Sequence, residues 1–359
     1  MSKEILSDQQ KFCMITIFII GSSSIFVMGL EAGKDLWISI VLAFFMSIPV
    51  ILLYGNLHAS FPGQNLFDMC EICLGKWIGK FIILLFTWYT LDVTALNIRN
   101  YGQFIHVVAL DSTPMPISMG IFIFLSIFAL KSGIEVLGRW ASFFLPIPIF
   151  ITILIIFLLI PDMDLHHIYP ILQTPFSSIL KGAFELFSFP FAYIVVFPMV
   201  FSHFNNQPSH KIYLKSLLIG GLVILATSLT GLLVIGIKDA SISYFPNYQA
   251  ITRVTVGDSL QRLEILGSIN FMLGGFIEIS IYLLATCIGM SKLFNFQDYR
   301  FLVLPLGLIA LNLASLEFDS IMEYYEWSFE VWPFYSFVFQ VILPSLLLIA
   351  AKFYQRKTF

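Results

Sequence analysis

Ten apolar runs, each long enough to cross a bilayer, dominate this sequence and leave few alternatives to a bundle of membrane helices. A spanning helix needs ~20 mainly apolar residues, and the runs fall at about 11–30, 35–55, 78–105, 114–131, 136–160, 179–202, 212–237, 263–290, 299–316 and 332–352. Between them the connections are short, so little of the 359-residue chain remains for a water-soluble domain. Composition agrees: 11% of residues are charged, against about 25% in soluble domains. The polar start Met1-Ser2-Lys3-Glu4-Ile5-Leu6-Ser7-Asp8-Gln9-Gln10 and the lack of a small-residue cleavage site argue against a removable leader. The reading is one integral membrane domain over 1–359, facing the lipid bilayer.

Lys and Arg set the orientation. With the N-terminus in the cytoplasm, the inner ends and connections hold Lys3, Lys11, Lys76, Lys80, Lys131, Arg139, Lys211, Lys215, Lys292, Arg300, Lys352, Arg356 and Lys357. The outer ones hold only Lys34, Lys181, Lys238, Arg253 and Arg262, and Arg99 lies inside the third span. Both termini are therefore expected inside. The last outer connection is acidic (Glu317, Asp319, Glu323, Glu326, Glu330) with Tyr324, Tyr325, Trp327 and Trp332 interspersed. That pattern is read as an interfacial aromatic belt beside a solvated acidic loop; a docking surface for an extracytoplasmic partner is the alternative.

Ten spans divide into five plus five, and because five is odd the first and sixth spans run in opposite directions. An inverted repeat requires that relation, and proteins so built place a ligand where the first helix of each half is interrupted. The repeats would cover about 11–160 and 179–352. Span one carries Gly21-Ser22-Ser23-Ser24 at its middle, and span six carries Ser188-Phe189-Pro190-Phe191-Ala192 at the matching place. Pro190 removes a backbone donor and crowds the preceding turn. Small residues also let helices approach and proline also merely kinks membrane helices, so packing is the competing reading of each break. Their correspondence favours a binding site.

Ionisable residues inside spans are costly. Asp92 and Arg99 share a face of span three, Glu185 lies one turn before the second break, and Glu278 sits near the middle of span eight with Tyr282 a turn later. Asp92 and Glu278 are read as facing a ligand ammonium or a proton, whereas Arg99 and Glu185 are read as internal packing partners. Enzyme chemistry has no support: the six His (58, 106, 166, 167, 203, 210) are scattered and no nucleotide-binding GxxxxGK[ST] loop occurs. Cys70-Glu71-Ile72-Cys73 is a lone CxxC without a second pair, so it reads as two small apolar residues rather than zinc ligands. No cofactor and no metal are expected, and a net charge of −3 gives no reason to expect nucleic acid.

Several stretches resemble a known family. They are Leu6-Ser7-Asp8-Gln9-Gln10, Phe61-Pro62-Gly63-Gln64-Asn65 followed by Leu74-Gly75-Lys76-Trp77-Ile78-Gly79-Lys80, and Ser132-Gly133-Ile134-Glu135-Val136-Leu137-Gly138-Arg139. Phe245-Pro246-Asn247-Tyr248 through Gly257-Asp258-Ser259-Leu260-Gln261-Arg262-Leu263-Glu264 completes the set. Together they resemble the endospore germination permeases, the B subunits of spore germinant receptors in the amino acid–polyamine–organocation superfamily. The resemblance implies an all-α membrane protein of ten helices with a LeuT-like 5+5 inverted repeat, in which helices one and six are interrupted. It implies a place in the spore inner membrane beside A-type and C-type receptor subunits, and a small-molecule germinant, often an amino acid, sensed in a midplane pocket. On this sequence the family's pocket falls on Gly21 and Ser23, Tyr89 and Val93, Phe191, and Glu278 with Tyr282; the two breaks add Ser22, Ser24, Ser188 and Phe189, and span three adds Asp92. The chain departs from the family's glycine-rich first break, and Ala192-Tyr193 replace a Gly-Glu pair after the second. Carboxylates in the pocket would suit a cationic or ammonium-bearing ligand. An ion- or proton-coupled amino acid transporter is the alternative function, with Asp92 or Glu278 carrying the proton; a structural subunit with a vestigial pocket is a third.

Overall fold

The ten apolar runs all become helices in the computed structural model, which describes residues 6–202, 204, 208–253 and 263–358. Lys3, His203, the motif residues Gly257 to Arg262 and the Lys357 side chain lie outside the described residues. In chain order the spans are α1 (Asp8–Ile20), α2 (Leu36–Ser60), α3 (Leu66–Val108), α4 (Met115–Lys131) and α5 (Ile134–Asp162). The second half holds α6 (Phe176–Val200), α7 (Ser209–Ile242), α8 (Glu264–Phe294), α9 (Val303–Leu316) and α10 (Trp332–Arg356). Seven of these are singly long and apolar enough to cross a membrane. The other three are shorter, and α1 has only 13 residues because its helix stops at Gly21 with half the bilayer still to cross.

Local chemistry sets several helix ends. Ser7 and Gln10 cap each other's backbone at the start of α1, and Asn65 and Asp68 do the same at the start of α3. Each reciprocal pair satisfies two donors that a helix start leaves open. Gly75, with φ +78°, bends the chain inside α3. The residues before it form a short helix that carries Cys70 and Cys73; both thiols are free and Cys70 is buried. Two helices not expected from the sequence, Pro246–Thr252 and Ile321–Glu330, lie on the face opposite the termini. The second folds back from α9 through 101°.

The interior is built across the two halves. α3 makes its broadest contact with α8, α1 packs on α7, α5 and α8, and α2 packs on α6 and α7. Large side chains face outward on the periphery, Phe128 (73% exposed), Phe143 (72%) and Phe157 (68%) among them. So much exposed aromatic surface would be untenable in water and marks the lipid-facing side of α4 and α5. Ion pairs tie the face opposite the termini: Lys181 bridges Glu31 and Glu330, and Arg253 pairs with Asp239.

Candidate ligand-binding site

Both expected interruptions are present, and each owes its shape to identifiable side chains. α1 ends as the Gly21 N–H donates to the Ile17 carbonyl at 2.8 Å. Ser22–Ser24 then make one tight turn, and the chain runs on without regular helix to Gly29, where φ is +77°. Opening a helix strands carbonyls and N–H groups that must find partners away from water. The serines supply them. Ser23 Oγ donates to the Ile19 and Ile20 carbonyls (2.7 and 2.9 Å), and Ser24 Oγ donates to the Gly21 carbonyl (2.8 Å). Ser22 donates its N–H to Glu278 Oε1 at 2.8 Å and its hydroxyl to Glu278 Oε2 at 2.7 Å, with the Tyr101 hydroxyl 2.7 Å from the same oxygen of Ser22.

Helix packing and helix opening, competing readings of Gly21 to Ser24, both hold. A Cβ on Gly274 of α8 would lie 2.0 Å from Gly21 Cα, so the two backbones touch where α1 opens. That contact brings Glu278, one turn along α8, onto the orphaned Ser22 N–H. The far end of the unwound segment is held alike: the Gly29 N–H donates to Glu185 Oε2 of α6 at 3.1 Å. Two glutamates from the second half thus clamp both ends of the break in the first.

In α6 the helix yields at Phe187–Phe191, where Phe189 is extended (φ −147°, ψ 123°) ahead of Pro190. Ser188 Oγ donates to the Glu185 carbonyl at 2.8 Å, and the Ser188 carbonyl accepts from Gln340 Nε2 of α10 at 2.9 Å. The Tyr282 hydroxyl donates to the Tyr193 carbonyl at 2.8 Å, and the Tyr193 hydroxyl donates to Asn97 Oδ1 of α3 at 3.0 Å.

A cavity of about 120 Å³ lies where the breaks meet, on the side away from the termini. Phe26, Val27 and Met28 of the unwound segment form one wall, Leu96, Asn97 and Asn100 of α3 a second, and Phe189 with Tyr193 a third. Tyr324, Tyr325, Trp327 and Ser328 from Ile321–Glu330, together with Trp332, close it from the outside. The acidic, aromatic connection is thus neither a loop nor only a belt. Its aromatic residues face the cavity while Glu323, Glu326 and Glu330 of the same helix do not line it.

Of the residues expected at the site, Phe189 lines this cavity. Gly21, Ser22, Ser23 and Ser24 build the first break behind it, and Ser188 belongs to the second. Phe191 is fully buried 6.5 Å from the Phe44 ring. Tyr282 packs under Tyr193 (centroids 4.8 Å), with Phe18 beside both, and Tyr89 stacks on Phe339 at 4.5 Å next to buried Val93. Glu278 is 1% exposed and fully engaged with Ser22, so it does not face the cavity. Asp92 lies outside the wall too, beside Glu317 and Tyr335. The two carboxylates expected to face a cationic ligand are thus not part of this cavity wall, and Glu278 serves the break as an acceptor for a stranded N–H. Arg99 donates to the Ala314 carbonyl of α9 at 3.1 Å and sits 5.5 Å from the Phe318 ring centroid. Glu185, read as a packing partner, holds Gly29. Asn97, Tyr193 and Trp332 were not anticipated as a group. Their signal was an uncharged amide inside an apolar span, and aromatic residues recurring at helical spacing among the acids of 317–332.

Comparison with known proteins agrees with this architecture. A family model described as spore germination protein matches residues 5–320. Spore germination protein KB of Bacillus subtilis (strain 168) is 28% identical, with 99% of this chain and 97% of that protein covered. Spore germination protein A2 of the same organism is 23% identical over 90% of this chain and 88% of its own length. Among solved structures, the nucleobase-cation-symport-1 family transporter Mhp1, closed with bromovinylhydantoin bound, superposes with TM-score 0.70 at 13% identity, covering 97% of this chain and 78% of Mhp1. A manganese transporter of Eremococcus coleocola gives TM-score 0.60 at 15% identity, covering 96% and 78%. With its ten-helix, LeuT-like transporter fold and a family match over most of its length, the chain belongs to the spore germination protein family of permease-like membrane proteins and not to an enzyme family.

Proposed function

We propose that this chain is the permease-like B subunit of a spore germinant receptor, that a small nutrient occupies the cavity between the two interrupted helices, and that its binding triggers germination. The observation that carries the reading is the meeting of both breaks at one aromatic-walled cavity in a member of the spore germination family. The proposal places the chain in the spore inner membrane, termini inward, assembled with A-type and C-type subunits. The excess of Lys and Arg on the face that holds the termini supports that orientation.

The test fills the cavity. Val27→Trp on the unwound segment and Ser328→Trp on the covering helix each place an indole in the space described. Spores carrying either variant are expected to lose or strongly right-shift the nutrient response while the amount of receptor in the membrane stays at the parental level. A response at unchanged nutrient concentration in both would remove the cavity from the mechanism.

The transporter likeness of the fold favours a second reading, coupled uptake of the nutrient. Membrane vesicles containing only this chain separate the two: a sensor shows no concentrative uptake of labelled nutrient, and a carrier does.

A further inference from the structure

Glu185 holds both breaks at once. Its Oε2 accepts the Gly29 N–H at the far end of the unwound segment, and its backbone carbonyl accepts from Ser188 Oγ in the second break. The residue is 1% exposed. Among the described residues the Gly29 N–H is the only donor to its carboxyl group, and Oε1 has no partner. The charged groups that face it are Glu31 beyond the unwound segment, Lys181 one turn earlier on α6, and Glu330 at the end of the covering helix. Lys181 is the cation among them, and it bridges the other two.

An ionised Glu185 would therefore be a buried charge without a counter-ion, beside two further carboxylates. A carboxylate so placed is neutralised rather than left charged. A metal ion needs several oxygen ligands, whereas Glu185 has one oxygen free. No group of three His, Cys, Asp or Glu residues that could hold a metal ion occurs among the described residues. A proton needs one oxygen.

We infer that Glu185 is a proton-binding site that couples one carboxyl group to closure of the cavity. With the proton bound, Glu185 keeps the Gly29 N–H while Lys181 stays between Glu31 and Glu330, so α6 holds the wall segment Phe26 to Met28 and the covering helix together. Loss of the proton to the outer medium leaves a carboxylate that draws Lys181, four residues earlier on the same helix, out of its bridge. Glu330 is then freed, and Ile321–Glu330 loosens over the cavity. The closed form binds one proton more than the loosened form, so low pH favours closure. As pH rises past the point where the closed form releases its proton, the closed-to-loosened ratio falls about tenfold per pH unit. This linkage is independent of what fills the cavity.

The test follows the covering helix directly, without any nutrient. In full-length protein with Cys13, Cys70, Cys73 and Cys287 replaced, spin labels on Glu326→Cys of the covering helix and Phe176→Cys of α6 occupy two exposed positions. Their separation is read by double electron–electron resonance in lipid nanodiscs, from about pH 5 to about pH 8. One short distance at the acid end, giving way to a longer one as pH rises, is expected. Glu185→Gln, whose amide oxygen still accepts the Gly29 N–H without a charge, should stay at the short distance throughout. Lys181→Met, which removes the bridge, should show the longer distance already at the acid end. A parental distance that ignores pH would overturn the inference, as would a Glu185→Gln variant that titrates like the parent. Lys181→Met remaining closed at the acid end would remove Lys181 as the link. A distance that changes between sodium, potassium and choline chloride at fixed pH, and not with pH, would replace the proton by a metal cation.

Discussion

Glu278 shows how a residue can stand out as exceptional in the sequence while its partner within the fold stays out of view. A carboxylate in the middle of an apolar helix demands an explanation, and a ligand ammonium is one. The actual partner is the Ser22 N–H, released because α1 stops one residue earlier. No periodicity connects positions 22 and 278, so only the three-dimensional contact reveals the pairing. The consequence is measurable. Glu278→Leu leaves a buried N–H and a buried hydroxyl without their acceptor, at a cost of about 1–3 kcal/mol per group. Thermal unfolding of the purified protein in detergent should show a clear loss of stability, whereas Glu278→Gln, which retains one acceptor oxygen, should lose much less. Equal losses would mean that the hydrogen bonds to Ser22 contribute little.

Among the elements, spans were legible because their signal is redundant: twenty apolar residues outvote any one exception, and short connections leave no other assignment. The breaks were legible for a different reason, since Gly21 to Ser24 and Ser188 to Ala192 occupy matching places in oppositely directed helices. The covering helix Ile321–Glu330 was not. Its charges suggested solvent, and its aromatic residues suggested the bilayer surface; both describe one amphipathic helix whose apolar side has a cavity beneath it. Helix contacts also lay beyond the sequence, because a glycine does not announce which backbone it will meet. Gly274→Ala would set a methyl 2.0 Å from Gly21 Cα, so α8 and the broken end of α1 must separate. Overpacking of this kind typically costs about 1–3 kcal/mol. Gly120→Ala in α4, where no atom lies within 4 Å of the added carbon, should be near neutral. Comparing the melting temperatures of the two variants checks both expectations together.

For the whole molecule, the charge count predicts a topology with both termini on the cytoplasmic side. In a background where Cys13, Cys70, Cys73 and Cys287 are replaced, a cysteine at Lys34 or Lys238 should react with a membrane-impermeant maleimide in intact cells. One at Gln355 should react only after permeabilisation, and the reverse pattern would invert the protein in its membrane.

The rings of Phe18, Tyr193 and Tyr282 give the molecule a stoppered base. For an occupant to continue toward the termini, Tyr282 would have to release the Tyr193 carbonyl, Tyr193 would have to release Asn97, and three buried rings would have to part at once. Leaving by the way it came disturbs none of these. The stopper is itself a wall of the cup, since Tyr193 touches the cavity on one side and Tyr282 on the other. In this arrangement, motion of Tyr193 against Tyr282 would reach α8, whereas passage toward the terminal face would require the stopper to part.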